Sequence, residues 1–296
     1  METEKSKLET YGDVFTAQKS ASKWDDLYKN PSNLFSHNMA VRRDRICKFV
    51  VDHYDPETKI LDLGCGAGVV MEPLIEKGFV MTGADRSQDM LDLSQQRLSR
   101  FPKEQYELHL GTCESLPFQD EQFDIILCVG VFGYIDDVVG ALLEIRRVLR
   151  PGGVLLMSVR NPFNLILSDP VRTAKFVSKK VGGGLFGAKK PVPITSLSSE
   201  NEDSTGSIFQ RPPQFRVDIL QNPRPLINGV IQCGYKLEHF SGFGFGPFSV
   251  AGKSIFPRRW SIKISDFLNC AFDRLGLKFI TRSIGDVSIY AFRKVD

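Results

Sequence analysis

This sequence has no apolar run long enough to cross a bilayer. The stretches at 125–129 and 154–157 stop far short of the roughly 20 residues a spanning helix needs. Its six cysteines, Cys47, Cys65, Cys113, Cys128, Cys233 and Cys270, never fall in a CxxC pair. In a chain of this length they read as reduced thiols in a cytoplasmic protein. The opening Met1-Glu2-Thr3-Glu4-Lys5-Ser6-Lys7 mixes charges and has no apolar h-region, so no signal peptide is expected. Charge of one sign is also missing: the net charge of +3 is too small to argue for a nucleic-acid partner. What remains is ordinary for a globular protein, with 42% apolar and 25% charged residues over 296 positions. That balance excludes a disordered chain, a collagen-like fibre and a coiled coil.

The pattern along the chain is strand, loop, helix, repeated. A helix from about residue 40 places Ile46, Phe49, Val50 and Val51 on an apolar face and closes at Asp55-Pro56. Ile60-Leu61-Asp62-Leu63 is a short buried strand, broken by Gly64-Cys65-Gly66-Ala67-Gly68, and a helix follows to Lys77. Further strands are expected at 80–84, 106–110, 123–129 and 154–159, with helices at 88–99 and 138–149. A sharp turn at Arg150-Pro151-Gly152-Gly153 precedes the fifth strand. Strict alternation of strand and helix means an α/β doubly wound sheet. The alternation lapses after Asn161 and resumes with a helix near 225–232 and a strand at 236–240. It lapses again until a last strand at 286–292. Both irregular segments leave from strand C-terminal ends, where open α/β sheets bind ligands.

The glycine loop separates two chemistries. A dinucleotide fingerprint is GxGxxG after a strand, with an acid about twenty residues on. Gly64, Gly66 and Gly68 make GxGxG, and Val69 occupies the third dinucleotide position. The acid is present as Asp85, 21 residues after Gly64. A carboxylate there accepts from both hydroxyls of a ribose diol, and glycines let a ligand approach backbone N–H groups. A nicotinamide oxidoreductase therefore stays open as a rival reading, weakened by Val69.

Asp62-Leu63-Gly64-Cys65-Gly66-Ala67-Gly68 resembles the first motif of class I S-adenosylmethionine (SAM) methyltransferases. Thr82-Gly83-Ala84-Asp85 resembles their ribose motif. Gly111-Thr112-Cys113-Glu114-Ser115-Leu116-Pro117-Phe118 resembles the adenine-side loop. Phe123-Asp124 through Tyr134, then Leu149-Arg150-Pro151-Gly152-Gly153, resemble the fourth strand and the turn before the fifth. The subtype is most similar to the type-11, ubiquinone-biosynthesis-like small-molecule methyltransferases. The resemblance implies a mostly parallel seven-stranded doubly wound sheet with helical lid insertions. It divides the chain into an N-terminal helical lid (1–40), a SAM-binding core (41–160), an insertion (161–212), a core helix and sixth strand (213–240), a second lid insertion (241–285) and a last core strand (286–296).

The resemblance also implies roles. Gly64, Cys65, Gly66 and Gly68 would line the methionine part of SAM, with Asp62 bracing the loop. Asp85 would hold the ribose and Arg86 flank the adenine. Thr112, Cys113 and Glu114 would form the adenine side, and Val129 would touch the methionine end. The arginine that meets the SAM carboxylate in this family falls best on Arg43, with Arg42 and Arg45 close in register. Two departures stand out. Thr112 replaces the usual Asp, and Gly133-Tyr134 replaces a common Glu-His, so the family's histidine base is missing at that place.

A hydroxyl acceptor benefits from a base with pKa near neutrality. The candidates are His37 in the lid and His239 near the end of the sixth strand, with Tyr28 and Tyr134 able to orient the acceptor. His53 and His109 read as structural. Asp124, Asp136 and Asp137 could suggest a metal, but read better as loop acids or a helix cap, and no metal is expected. The expected reaction is methyl transfer to a small, rather apolar acceptor, with O-methylation favoured slightly over N or C. A nucleic-acid acceptor is disfavoured, because Val129-Gly130-Val131-Phe132 stands where that subclass carries Asn/Asp-Pro-Pro-aromatic. A SAM-binding regulatory module without turnover is a further alternative.

The lid segments are basic and aromatic. Arg172, Lys175, Lys179, Lys180, Lys189 and Lys190 fall within 20 residues without an acid. Phe240, Phe243, Phe245 and Phe248 precede a second basic stretch, Pro257-Arg258-Arg259-Trp260. Trp260, Ile264, Phe267, Leu268, Ala271, Phe272 and Leu275 then share one helical face. The plain expectation is that this helix caps the core with that face. The alternative is a peripheral contact with an anionic membrane surface, or a lipid or phosphate-bearing isoprenoid-like acceptor.

Overall fold

The computed structural model describes residues 28, 34–135, 137–160, 224–244, 249–250, 253–254, 257–276 and 287–295. The 161–212 insertion, its basic stretch at 171–190, and Phe245 and Phe248 lie outside the described residues, as does nearly all of 1–33.

Seven strands form one sheet: β1 (Ile60–Leu63), β2 (Met81–Asp85), β3 (Tyr106–Leu110), β4 (Phe123–Val129), β5 (Leu149–Arg160), β6 (Tyr235–Phe243) and β7 (Val287–Lys294). Their order is β3-β2-β1-β4-β5-β7-β6. The pairs from β3 through β5 are parallel, and β7 runs antiparallel to both β5 and β6. Around the sheet stand α1 (Leu34–His53), α2 (Met71–Ile75), α3 (Gln88–Leu98), α4 (Val138–Val148), α5 (Arg224–Gln232) and α6 (Arg258–Arg274). A two-stranded ribbon, Ser249–Val250 with Lys253–Ser254, lies between β6 and α6 in the chain.

Strand periodicity divides the core into two layers. Side chains alternate faces along a strand, so a strand covered on both sides is apolar throughout. Leu61 and Leu63 of β1 join Ile126, Cys128, Leu155, Met157 and Phe292 on one face. Ala141, Leu142 and Ile145 of α4 and Leu226 and Val230 of α5 cover that layer. Ile60 joins Met81, Ile125, Leu127, Leu156 and Ile289 on the other, under α1, α2 and α3. Asp62 shares this second face by its place in the strand and is 1% exposed.

The helices begin where local chemistry lets them. The Ser87 hydroxyl accepts from the Met90 N–H at 3.3 Å and starts α3. The Asp137 carboxylate accepts from the Gly140 N–H at 3.0 Å and starts α4. Each satisfies an N–H group that has no partner inside the helix. The 150–153 turn is absorbed into β5 as an irregularity, where pairing with β4 shifts register, and Gly152 takes φ +68°.

Candidate active site

The C-terminal ends of β1, β2, β3 and β4 lie along one edge. The strand order reverses direction between β1 and β4, which opens a crevice at that point. The loop leaving β1 fills one side of it. Gly64, Gly66 and Gly68 adopt φ +74°, +53° and +72°, a region that costs L side chains energy. Space forbids a side chain at Gly64 as well, because a Cβ there would sit 2.3 Å from Cγ2 of Val131, just beyond β4. At Gly68 a Cβ would meet the Ser94 hydroxyl at 2.6 Å. The loop is tied to β2 by the Gly64 and Cys65 N–H groups, which donate to the Ala84 carbonyl at 2.7 and 3.1 Å. Arg97 of α3 braces its far side, donating from Nε to the Ala67 carbonyl at 2.7 Å.

Asp85 closes β2 directly beneath this loop. Its Oδ2 accepts from the Gly66 N–H at 2.8 Å and its Oδ1 from the Ser87 N–H at 2.9 Å. Each oxygen keeps a further lone pair, so the carboxylate can still accept from two hydroxyls. Burial raises its pKa, while those two N–H groups and the Arg86 charge pull it back down. Asp62 has no such help. Burial, and then the charge of Asp85, push it up to about 7, and its Oδ2 has no hydrogen-bond partner. Of the two acids, Asp85 is therefore the one equipped to hold charge.

The adenine-side loop is held from below. The Gly111 N–H donates to the Asp85 carbonyl at 3.0 Å, and Thr112 bridges to Ser115. Arg147 of α4 donates to the carbonyls of Phe118 at 2.8 Å and Leu116 at 3.2 Å, and pairs with Glu144 and Asp120 at 2.7 Å each. Glu144 in turn accepts from the Leu116 N–H at 2.8 Å. The Arg147 hydrogen bond holds the Glu144 carboxyl below its ordinary range. Burial pushes the Cys113 thiol up to about 12, and pushes Cys65 and Cys128 well above the thiol range. All three stay protonated at neutral pH and act as small apolar residues. Glu114 accepts from the Asp137 N–H at 3.5 Å, and Val129 is half-buried at the end of β4.

Neighbouring arginines in α1 are turned to different partners. Arg43 pairs with its neighbour Asp44 at 2.8 Å. Arg45 bonds Ser241 at 3.1 Å, pairs with Asp273 and lies over the Phe243 ring. Arg42 is the guanidinium that abuts the loop after β4: a Cβ on Gly130 would lie 2.5 Å from its Nη1. Arg42 also donates from Nη2 to the Tyr28 hydroxyl at 2.6 Å, its Nε is buried without a partner, and no carboxylate among the described residues pairs with it.

The histidines separate similarly. His37 sits in the first turn of α1 and bonds Asp266 of α6 at 2.8 Å. Asn38, beside it, packs against Gly244 immediately after β6, so this end of α1 stands at the ligand edge. His239 lies in the middle of β6 rather than near its end, with its ring 5.2 Å from that of Phe49. His53 is stacked on Phe49 and bonds its carbonyl, and His109 packs edge-on against Phe118. Tyr134 ends a single 3₁₀ turn, Phe132–Tyr134, just past β4. Asp124 accepts from the Lys59 N–H at 2.7 Å and pairs with Arg150, which uses it structurally. Sequence reasoning missed the Arg147–Glu144 brace and the contact of Arg42 with Gly130. Neither has a local signal, since the brace acts on Leu116 and Phe118 and Arg42 on Gly130, all distant in the chain.

A parallel doubly wound sheet with one antiparallel strand inserted at β7, and a glycine loop and acid at its switch point, defines a nucleoside-binding α/β protein. Residues 61–157 match a family model described as a methyltransferase domain. These residues form a class I SAM-dependent methyltransferase domain, and SAM is its cofactor. A Bacillus subtilis protein, YqeM, is 34% identical over 126 residues, covering 41% of this chain and 50% of that one. A ubiquinone biosynthesis O-methyltransferase of Dinoroseobacter shibae is 29% identical over 209 residues, 64% of this chain and 82% of that one. The chain thus spans half the length of the first relative and about four fifths of the second. The crystal structure of magnesium protoporphyrin IX methyltransferase from Synechocystis, with bound S-adenosylhomocysteine, shares the fold. Its TM-score is 0.54 over 95% of this chain and 96% of that one, at 15% identity.

Proposed function

We propose that the protein transfers the methyl group of SAM to a hydroxyl of a small, rather apolar acceptor. The observation that carries the SAM half is the crevice between β1 and β4, edged by a crowded glycine loop, Asp85 and the lone guanidinium of Arg42. Asp85 would accept from the ribose diol, and Gly66 and Cys113 would face the methionine and adenine portions. Arg42 has an open Nε and no acidic partner among the described residues, so it is proposed as the carboxylate anchor, the role for which the resemblance fitted Arg43 best and left Arg42 open. Thr112 is exposed and neutral, and offers the adenine amino group a weaker acceptor than the usual carboxylate.

When bound, SAM supplies an electrophilic methyl carbon that passes to the attacking oxygen while the broken bond's electron pair stays on sulfur. The chain's task is to align the acceptor, exclude water and take the hydroxyl proton. Among the histidines, His37 stands at the ligand edge with its ring held by Asp266, and is proposed to take that proton. Tyr134, beyond β4, and Tyr28, on Arg42, would orient the acceptor. The hydroxyl preference is supported by the relative named as a ubiquinone biosynthesis O-methyltransferase.

The test supplies methyl-labelled SAM to the purified protein with a cell extract and follows label into the organic phase, the aqueous phase and the protein pellet. Label in the organic phase, retained through mild acid and base hydrolysis as a methyl ether is and a methyl ester is not, is the expected result. Label only in water would replace the apolar acceptor with a polar one. SAM binding without label in any fraction, across extracts, would leave a binding module and sink the catalytic reading. In the same assay His37→Ala should lower turnover at least tenfold with SAM affinity unchanged. Equal turnover would remove His37 as the base.

A further inference from the structure

Helix α6 is turned inside out relative to its sequence. Its buried side chains are Ser261, Ser265 and Asn269, spaced by four residues and 5%, 0% and 6% exposed. The helix is tied to α1, where Ser36 and Asn38 are also buried, through Asp266 and Asp273, and Asn269 accepts from the Gly244 N–H at 3.0 Å. Trp260, Phe267 and Leu275 point the other way and are 62%, 70% and 68% exposed. With half-buried Ile264 and Ala271 they make a stripe about 22 Å long at 1.5 Å per residue.

The charges on the helix are sorted as well. Its acids are spent on α1: Asp266 bonds His37 and Asp273 pairs with Arg45. Three of its cations are placed differently. Arg259, Lys263 and Arg274 have no acidic partner among the described residues, and all three lie within about 80° of Phe267 around the helix axis. An apolar stripe with tryptophan, flanked by cations that have no acidic partner among the described residues, matches the boundary of a bilayer carrying anionic headgroups. A protein partner with an apolar groove would not call for the row of cations beside it. No helix among the described residues is long and apolar enough to cross a membrane, so the contact is one of lying on the surface.

We propose that α6 is a docking surface for an anionic lipid bilayer, inserting Trp260, Phe267 and Leu275 at the headgroup boundary while Arg259, Lys263 and Arg274 meet lipid phosphates. The inference goes beyond the methyl-transfer reading and does not depend on which acceptor is methylated.

The experiment uses the full chain with Trp24→Phe, which leaves Trp260 as the sole tryptophan, and vesicles of phosphatidylglycerol with phosphatidylcholine or of phosphatidylcholine alone. Anionic vesicles at low salt should sediment the protein, shift Trp260 emission to the blue and allow quenching by brominated acyl chains. Neutral vesicles should do none of these. Raising salt should release the protein. Phe267→Ser with Leu275→Ser should reduce partitioning at least tenfold, and Lys263→Gln about fivefold, with SAM affinity unchanged in both. Wild-type protein that binds SAM but fails to sediment with anionic vesicles would overturn the proposal. So would a Trp260 already shielded from acrylamide without lipid, which would mean the chain covers the stripe itself. A dimer dispersed by Phe267→Ser would assign the stripe to a second copy instead. Because SAM binding is read separately, loss of vesicle binding and loss of methyl transfer remain distinct results.

Discussion

Asp62 and Asp85 are two carboxyls on neighbouring strands with unequal provision for charge. Asp85 has backbone N–H groups on both oxygens, whereas Asp62 has an unpartnered oxygen and is pushed from its ordinary 3.8 to about 7 by burial and then by Asp85. Below about pH 4 the carboxyl is protonated whether the chain is folded or not, so it adds no pH dependence. Between about pH 4 and about 7 the unfolded chain has released this proton and the folded chain retains it. Stability therefore falls as pH rises through that window, by a few kcal/mol at most, about 1.4 for each unit of pKa difference. Asp62→Asn cannot ionise in either state. Urea unfolding should show the variant gaining about 2–4 kcal/mol relative to wild type between pH 4.5 and 7.5. Parallel pH profiles would mean Asp62 ionises normally in the folded protein. The motif names both acids as candidates, whereas for the proposed carboxylate anchor it leaves Arg42, Arg43 and Arg45 open. One step along a helix turns a side chain by about 100°, so Arg42 and Arg43 differ in direction far more than in register.

At the scale of elements, α4 acts on the site from a distance. Arg147 in its last turn reads in the sequence as a cation suited to a helix C-terminus. In the structure it also holds two carbonyls of the adenine-side loop, and Glu144 one N–H. Arg147→Ala should weaken SAM binding about fivefold to tenfold, the worth of one or two hydrogen bonds, measured by calorimetry. Because Arg147 is partly exposed, the melting temperature should change little. Unaltered affinity would show that the loop keeps its shape without the brace. The helices and strands of the core were legible because both layers obey their periods, apolar side chains at alternate positions in strands and on one face of α4. Helix α6 defeats that rule. Its larger apolar face predicts burial, yet the face that is buried carries Ser261, Ser265 and Asn269, and the Gly244 N–H gives Asn269 a polar partner.

The whole molecule is closed by β7. Its residues from Val287 to Phe292 are all buried, and it supplies the sheet pairing on either side for both β5 and β6. Phe292 is fully buried among Leu155, Tyr235 and Tyr290 in the layer beneath α4 and α5. Phe292→Ala should cost about 3–5 kcal/mol in urea unfolding, with the loss shared by every probe of the sheet. A loss under 1 kcal/mol would mean the β7 region packs independently of the core. The alternation of strand and helix announced the parallel half of this sheet, but no local pattern says that the last strand will be threaded between β5 and β6. That placement is decided by pairing partners far away in the chain.

The threading has a consequence for how the protein is made. During synthesis β6 leaves the ribosome before its strand partner, because among the described residues its one neighbour in the sheet comes more than forty residues later. Until then two open edges, one on β5 and one on β6, are exposed together, and edges of that kind recruit other chains. The nascent protein thus passes through an interval in which its parallel half is complete and its closure is pending. Slowing translation between residues 243 and 287 lengthens that interval, and a chaperone that shields strand edges has its greatest effect there.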